Sequence, residues 1–441
     1  MPFEALGEDV LLGIFCLCDI STVLAVSGIN KALRRIALSK QLWLAMVLDK
    51  KFRDALELPP PNRAHLECLS TEELIAVVKN AVNGPCSIWD SALDESSVTM
   101  TSFQIPLDDM ENRPEARLLP GARYLVLHST STTQQGLYLY DVWSARRVWH
   151  RLMQAHKMCE VDLVPGGAIA RVFFVQTVDH PNTYMLHVKE VDLKTGASHE
   201  LFNFSLDRTV FGATPCAIVG DFLLAALVHS HSLLVLINWR ASTFVSLSRD
   251  GLSYVQLIPG YILSTYRETS PPHGYILTAT GLEAFSDRWQ PLPDDSTGLA
   301  AQLEAGSAST ITIESLDIAT QERLEYINWQ IRSSAITATP HPLCAGAYNI
   351  AIYGRQFSER PPRPATLMER IGNLVLLGAR ALLSYRFMPG QAQASCELRL
   401  VSAQRLSNEL QAEFPRAIPR HSGNSISVVY RQRRGPGADV A

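Results

Sequence analysis

The chain has 441 residues, of which 47% are hydrophobic and 19% charged, so it can bury the cores of two or three domains and is not a disordered or fibrous protein. A formal net charge of -4, with no long run of one sign, argues against a protein that binds nucleic acid by neutralising its phosphates. The longest apolar run, 222–228, is far shorter than the roughly 18 residues that a membrane-spanning helix needs. We therefore expect neither nucleic acid nor a membrane among the partners.

The start of the chain and the cysteines indicate an intracellular protein. Glu4, Glu8 and Asp9 stand where a secretory signal has basic residues followed by an apolar run. The eight cysteines are widely spread and form no CxxC pair, a pattern typical of reduced thiols. We expect a cytoplasmic or nuclear location, or both.

Residues 1 to about 84 have helical spacing. The first predicted helix begins at Glu8 and ends near Asp19, and its apolar residues recur every three or four positions along one face. A second helix begins at Ser21 or Thr22, and a third follows Gly28 and leads into a Leu-Trp pair. Because three such short helices cannot bury their apolar faces alone, we expect them to complete their packing against the helices of a partner.

A further helix is predicted after the triple proline at 59–61. Ser70 and Glu73 form a capping-box signature at its start, and Asn83-Gly84-Pro85 is a stop signal at its end. We therefore divide the chain into a helical domain at 1–50, a helical linker region at 51–84, a β-rich domain at 85–435 and a flexible tail at 436–441.

From about residue 86 the hydrophobic period changes to two, which predicts strands. Three short predicted strands joined by polar turns recur in the same order along the chain. The predicted strands of the four copies are 124–128, 137–142 and 148–149; 169–175, 184–191 and 200–202; 222–228, 233–237 and 243–245; and 261–266 and 275–280. Gly121, Gly167, Gly220 and Gly260 are interpreted as the openings of these copies, and their separations of 46, 53 and 40 residues bracket the length of one propeller blade.

After Gly260 the pattern is less regular. Later strands are predicted at 309–313, 325–327, 374–377 and 425–430, with a long proline-rich loop at 361–364. The expected fold class is a multidomain α plus all-β protein, in which a small N-terminal helical domain precedes a large β-propeller-like domain of six to eight blades. A pair of β-sandwiches is the alternative architecture.

The helical residues between Ala5 and Val47 resemble the F-box family. The resemblance rests on the order and spacing of Leu6, Glu8, Val10-Leu11, Ile14-Phe15, Leu17, Asp19-Ile20, Leu24, Val26-Ser27, Leu33, Ile36-Ala37 and Leu42-Trp43. Two residues depart from the family pattern: Gly7 stands in place of a proline, and Asn30 in place of a bulky aromatic residue. Because glycine does not fix φ, we expect the start of the first helix to be less preorganised. Because Asn30 lies near Gly28, we expect a looser third helix. The chain is also similar to fungal F-box proteins with propeller-like C-terminal regions.

The resemblance implies a function as the substrate-recognition subunit of a Skp-cullin-F-box ubiquitin ligase. The F-box would bind the Skp-type adaptor and, through it, cullin, and the propeller would bind an unknown target protein. The residues implied in adaptor binding are Leu6, Gly7, Leu11, Ile14, Phe15, Leu17, Ile20, Leu24, Val26, Leu33, Leu42 and Trp43.

The sequence contains no motif of an enzyme or of a metal site. No nucleophile elbow, phosphate loop, dinucleotide fingerprint or His-Glu-x-x-His is present, so we expect no catalytic residue, cofactor or metal. His156 and Cys159 have ligand-like spacing but lack further ligands nearby, and His229 and His231 are interpreted as solvated turn residues. Two alternative functions remain open: a cullin-independent interaction scaffold, and a propeller hydrolase with a metal in the central channel.

Overall fold

The computed structural model describes most of residues 6–83 and most of 104–406, together with 418–419 and 425–426. Seven helices lie in its N-terminal part. They are α1 (Glu8–Phe15), α2 (Ile20–Ser27), α3 (Lys31–Ala37), α4 (Lys40–Leu48), α5 (Lys50–Ala55), α6 (Arg63–Cys68) and α7 (Thr71–Asn83).

The helices bury one another in a single core. Phe15 of α1 and Trp43 of α4 are each 1% exposed, and Leu74 of α7 is fully buried in the same cluster. The indole Nε1 of Trp43 donates a hydrogen bond of 2.9 Å to the carbonyl oxygen of Ala37, which satisfies its one polar atom. The expectation that the first helices need a partner to bury these faces is therefore wrong, because later helices of the same chain cover them.

Side-chain caps fix where several helices begin. The capping box is confirmed: the amide of Ser70 donates to Glu73 at 2.6 Å, and the amide of Glu73 donates to the Ser70 hydroxyl at 3.2 Å. Asn30 is the N-cap of α3, because its side-chain oxygen accepts from the amide of Leu33 at 2.9 Å. The expectation that Asn30 loosens the third helix is wrong, since the residue stabilises the start of α3.

The β-rich part consists of consecutive antiparallel sheets, which we call blades. Blade 1 contains β1 (Glu115–Leu118), β2 (Tyr124–Thr130), β3 (Gln135–Asp141) and β4 (Arg146–Leu152). Blade 2 contains β5 (Glu160–Leu163), β6 (Ile169–Val178), β7 (Thr183–Asp192) and β8 (Ser198–Ser205). Blade 3 contains β9 (Gly212–Val219), β10 (Phe222–Val228), β11 (Ser232–Asn238) and β12 (Thr243–Ser248).

Blades 4 and 5 complete the described series. Blade 4 contains β13 (Leu252–Ile258), β14 (Tyr261–Arg267), β15 (Tyr275–Gly281) and β17 (Thr320–Leu324). Between β15 and β17 the chain forms a 3-10 helix (Leu282–Phe285) and β16 (Gln290–Pro291), which joins blade 3 beside β12. Blade 5 contains β18 (Trp329–Pro340), β19 (Tyr348–Gln356), β20 (Arg380–Met388) and β21 (Glu397–Leu406), and a two-stranded sheet of β22 (Ile418–Pro419) and β23 (Ser425–Ile426) follows.

The blades pack face to face in chain order. The first strands of blades 2, 3, 4 and 5 lie side by side in the order β5, β9, β13 and β18. Arg117 of β1 forms a hydrogen bond with Glu160 of β5, which connects blade 1 to blade 2. Separate apolar cores join blade 1 to 2, 2 to 3, 3 to 4 and 4 to 5. A helical region followed by a propeller-like all-β region is therefore confirmed, and the pair of sandwiches does not fit. Five blades and one two-stranded sheet lie in the described part, and a total of six to eight stays a prediction.

The glycines that were interpreted as openings of the copies have a different position. Gly167, Gly220 and Gly260 lie between the first and second strands of blades 2, 3 and 4, with φ of 66°, 59° and 79°. These left-handed turns favour glycine because a Cβ would crowd the backbone. The interpretation was wrong because each blade has an additional strand before its glycine. Gly121 lies outside the described residues.

The turn between the third and fourth strands is repeated in blades 1, 2 and 3. It begins at Asp141, Asp192 or Asn238, whose side-chain oxygen accepts from backbone amides two or three residues later at 2.7 to 3.4 Å. Four residues after this polar residue the chain is left-handed, at Ala145 (φ 51°), Gly196 (φ 78°) and Ser242 (φ 52°). One turn geometry therefore closes all three hairpins.

The strands predicted after the four copies agree less well with the structure than the strands within those copies. Of 309–313 only Ile311 is described in an extended pairing, as an isolated parallel bridge with Leu247. Of 425–430 the structure describes Ser425–Ile426 as a strand, whereas 325–327, 361–364 and 374–377 lie outside the described residues. The four strands of blade 5 were not predicted.

Candidate functional site

Helix α1 carries apolar residues on two sides. Leu11 and Phe15, one turn apart, are 3% and 1% exposed and face the helical core. Val10 is 53% exposed, and Leu17, whose amide donates to the Ile14 carbonyl at 3.0 Å just past the helix, is 90% exposed. Only the side with Leu11 and Phe15 is needed for the fold, so the other side is available to a partner.

The apolar residues of α2 and of the segment after it are also divided into buried and exposed ones. Ile20 and Val23 are buried, whereas Leu24 and Ile29 are exposed to solvent. We define the exposed apolar set as Leu6, Val10, Leu17, Leu24 and Ile29. Half of the exposed large apolar side chains among the described residues belong to this set, although it spans only residues 6–29. Scattered exposed leucines are normal, so it is the concentration of these side chains within one short stretch of the chain that makes the set a candidate contact surface.

The twelve residues implied in adaptor binding fall into three classes of exposure. The buried ones are Leu11, Phe15, Ile20, Leu33, Leu42 and Trp43. The half-buried ones are Ile14 and Val26, and the exposed ones are Leu6, Gly7, Leu17 and Leu24. The six buried residues build the helical core, so a partner can contact only the other six without opening the fold.

Sequence reasoning missed two members of the exposed apolar set. Val10 was placed on the same helix face as Leu11 and Phe15, and Ile29 was placed inside the third helix. In the structure Ile29 precedes the cap Asn30 and is 66% exposed. A finer reading of the 100° helical step separates Val10 and Leu17 from Leu11 and Phe15, so the signal was present in the sequence.

A solvent-exposed ion pair lies beside the exposed apolar set. Arg35 of α3 forms an ion pair of 2.8 Å with Glu8 of α1, and both side chains are more than half exposed. Such pairs contribute little stability in water. The pair connects two helices at the surface and leaves the apolar character of the set unchanged.

Gly7, the N-cap of α1, is extended with φ of -60° and has no side chain to cap the helix.

The β region has a polar contact at each of its first two blade junctions. Between blades 1 and 2, Arg117 binds Glu160 at 2.7 Å and donates to the Cys159 carbonyl at 2.6 Å. Burial raises the pKa of Glu160 despite the opposing effect of Arg117, and burial raises the pKa of the Cys159 thiol to about 12. Cys159 is therefore an unreactive core thiol.

Between blades 2 and 3, three side chains satisfy the backbone of Gly220. Asp162 accepts from its amide at 2.9 Å, and Arg171 and Trp239 donate to its carbonyl oxygen at 3.2 and 3.3 Å. Burial is the largest influence on Asp162 and raises the pKa of its carboxyl group. These groups bind one another, and the arrangement is a structural junction rather than a reactive site.

A second polar group joins blades 1 and 2 farther from their first strands. The ring of His187 stacks on the ring of Phe174 with centroids 5.0 Å apart. The guanidinium of Arg151 lies over the Phe174 ring, 5.1 Å from its centroid. His187 Nδ1 lies 3.2 Å from Glu200, whereas its Nε2 is buried without a hydrogen-bond partner. Burial lowers the pKa of His187, an effect that Glu200 partly opposes.

The remaining candidate chemistry gives no site among the residues that the structure describes. In this part of the chain no three His, Cys, Asp or Glu residues lie close enough to hold a metal ion, and no helix is long and apolar enough to cross a membrane. His229 is 8% exposed, so its interpretation as a solvated turn residue is wrong. His156 and His231 lie outside the described residues.

Comparisons with known proteins give distant structural similarities. No protein-family model and no curated protein matches the chain. The WD40 domain of SCAP from fission yeast is similar with 10% identity and a TM-score of 0.25, over 67% of this chain and 76% of that chain. TolB from Acinetobacter baumannii has 11% identity and a TM-score of 0.30, over 64% of this chain and 52% of that chain.

A third similar structure is the β-propeller domain of Cps50 (Swd1) from Myceliophteria thermophila. Its identity is 10% and its TM-score 0.29, over 66% of this chain and 86% of that chain. Because these similarities are distant, the propeller-like fold is assigned from the order and the packing of this chain's own blades.

Proposed function

We propose that this chain is a non-catalytic substrate-recognition subunit of a Skp-cullin-F-box ubiquitin ligase. The helical domain binds a Skp-type adaptor and, through it, cullin. The propeller-like region binds the target protein, and ubiquitin transfer is catalysed by other subunits. The chain then acts by bringing the target close to the transfer machinery in the cytoplasm or nucleus.

The observation that carries this proposal is the exposed apolar set, of which Val10 lies on α1 and Leu24 on α2, and the other three residues lie beside the ends of these helices or before α3. The set coincides with the part of the chain that resembles the F-box. Burial of a leucine side chain contributes roughly 1.5 to 3 kcal/mol, so an adaptor that covers Leu17 and two or three other members of the set gains about 5 to 12 kcal/mol before the cost of association is subtracted. Leu17, which is 90% exposed, is the strongest anchor candidate because it has the most surface to bury.

The rigid helical core makes this surface suitable for docking. Phe15 and Trp43 are packed inside, so the helices that carry or flank the outward residues are anchored in a common core. The ordered surface loses little conformational entropy on binding. The buried half of α1 thus supports the exposed half.

The first experiment measures binding of the purified full chain to its cognate Skp-type adaptor by calorimetry. We expect Leu17→Asp to weaken binding at least about tenfold, because a carboxylate is desolvated in an apolar contact. Phe211→Asp is the matched control, since Phe211 is 69% exposed on blade 3 and lies outside the helical domain. Equal affinity of both variants, or absence of binding by the wild type, contradicts the proposal.

A second measurement separates the ligase from a cullin-independent scaffold. The adaptor-bound chain is mixed with the cullin and applied to a gel-filtration column. Co-elution of all three proteins supports a ligase subunit. Co-elution of the chain and adaptor alone favours the scaffold. The hydrolase alternative has no supporting cluster of ligands in the described residues.

A further inference from the structure

The segment that contains part of the exposed apolar set is also positively charged. Residues 20–48 contain Lys31, Arg34, Arg35 and Lys40 and no aspartate or glutamate. The sign of this segment is opposite to that of the whole chain, whose formal net charge is -4. Because a local concentration of one sign attracts partners of the other sign, the segment favours an acidic partner.

Three of these cations lie on the outward side of α3. Leu33, Ile36 and Ala37 are the buried residues of this helix and define its inward side. At 100° per residue, the opposite side of the helix carries Lys31, Arg34 and Arg35 within an arc of about 100°. All three are exposed, so the outward side of α3 is a cationic surface.

Two of the four cations are engaged within the helical domain. Arg35 forms the ion pair of 2.8 Å with Glu8, and the ammonium of Lys40 donates to the carbonyl oxygen of Glu67 at 2.8 Å. Among the residues that the structure describes, the side chains of Lys31 and Arg34 form neither an ion pair nor a hydrogen bond. Lysine and arginine side chains in water are positively charged at neutral pH, so these two cations are free to bind a partner.

The two free cations adjoin the exposed apolar set. Ile29 is 66% exposed and precedes the cap Asn30, and Lys31 is the first residue after that cap. Helix α2, which carries the exposed Leu24, packs against α3. An apolar patch with a charged border is the usual composition of a protein–protein interface.

We propose that the partner surface that covers the exposed apolar set carries carboxylates opposite Lys31 and Arg34. The inference rests on the proposed function, in which this partner is the Skp-type adaptor, and adds the charge of the adaptor's docking surface. The apolar contacts supply most of the affinity. The ion pairs at the border accelerate association and fix the orientation of the partner.

A protein surface fits these residues better than a nucleic acid does. Binding through phosphates takes many cationic contacts, whereas the described part of α3 offers two free cations. A phosphate backbone would also leave Leu24 and Ile29 exposed to water, and the net charge of -4 repels a polyanion. Charge complementarity beside an apolar patch therefore points to carboxylates on a folded partner.

The test measures association and dissociation rates of the full chain and the purified Skp-type adaptor by biolayer interferometry. The wild type is compared with Lys31→Glu/Arg34→Glu at about 50 mM and about 500 mM NaCl. At low salt we expect association of the double variant to be at least about tenfold slower, because like charges then face each other, and dissociation to change less. At high salt we expect the difference to shrink below about threefold, because salt screens exposed charges.

Two further variants address net charge and folding. Lys194→Glu/Arg288→Glu makes the same charge change at two exposed positions of the β region, and we expect wild-type rates. Lys31→Gln/Arg34→Gln removes the charges without reversing them, and we expect an intermediate association rate even if the reversed variant does not fold.

The outcomes separate this inference from the proposed function. Adaptor binding by the wild type that is insensitive to salt, or equal rates for the two reversed variants, overturns the inference and leaves the proposed function standing. Absence of adaptor binding by the wild type overturns both. Binding of a labelled single-stranded DNA that is lost in Lys31→Gln/Arg34→Gln overturns the inference in favour of a nucleic acid.

Discussion

The shared core of the helical domain leads to a quantitative prediction for Leu74→Ala. Leu74 of α7 is fully buried in one cluster with Leu42 and Trp43 of α4. Removing a buried leucine side chain costs about 2 to 5 kcal/mol, from lost transfer energy and the cavity left behind. Because the cavity lies against α4, the loss should extend to helices that are distant from α7 in sequence.

Hydrogen exchange read by mass spectrometry resolves this effect peptide by peptide. A loss of 2 to 5 kcal/mol corresponds to exchange that is about 30-fold to several thousand-fold faster in α1–α4, since 1.36 kcal/mol is a factor of ten. Leu17→Ala is the matched control, because the same atoms are removed from a side chain that is 90% exposed. Unchanged exchange in α1–α4 of Leu74→Ala would refute a core shared between the early and late helices.

Two further predictions concern a cap and a buried histidine. Asn30→Ala removes the acceptor for the Leu33 amide, so we expect α3 to lose about 1 kcal/mol and its amides to exchange faster, whereas unchanged exchange contradicts the cap. Because burial lowers the pKa of His187 below 6.5, the unfolded chain takes up a proton before the folded one does. The free energy of unfolding should therefore fall as the pH drops below 6.5, and urea denaturation between about pH 7.5 and 5 should show a smaller fall for His187→Phe than for the wild type. His199→Gln, at a mostly exposed histidine of β8, should behave as the wild type, and equal falls in all three proteins contradict the prediction.

The sequence predicted elements well where local patterns decide the structure. The period-two runs of blades 1 to 3 coincide with strands, and 222–228 matches β10 in both bounds. The capping box at Ser70 was also readable, because its two hydrogen bonds join residues three apart. Such features need no knowledge of distant residues.

The first strands of blades 1 and 2 were missed because their pattern is weak. Strands β1 and β5 have four residues each, and Glu115, Glu160 and Asp162 interrupt any apolar alternation. Glu160 is accommodated by Arg117, which is 43 residues away in sequence. No local window contains that pairing, so the predicted meander had three strands where the blade has four.

For the candidate adaptor residues too, a local sequence pattern could not show which residues are buried and which are exposed. The family resemblance selects apolar positions without distinguishing core from surface. Phe15 and Leu17 are both implied by it, but one is 1% and the other 90% exposed. The difference arises from tertiary packing, because α1 lies against α3 and Phe15 belongs to one buried cluster with residues of α4 and α7. The sequence from 1 to 50 does not contain α7.

The return of the chain from blade 4 to blade 3 has a consequence for biosynthesis. Strand β12 leaves the ribosome about 40 residues before Gln290–Pro291, which pairs with its edge. At a synthesis rate of about 5 to 20 residues per second, this edge stays uncovered for about 2 to 8 seconds on each nascent chain. Because the strand bears no charge, this interval is when blade 3 can pair with a neighbouring nascent chain. Slow translation through 249–290 would lengthen the interval, so the timing of synthesis and the folding of this blade are coupled.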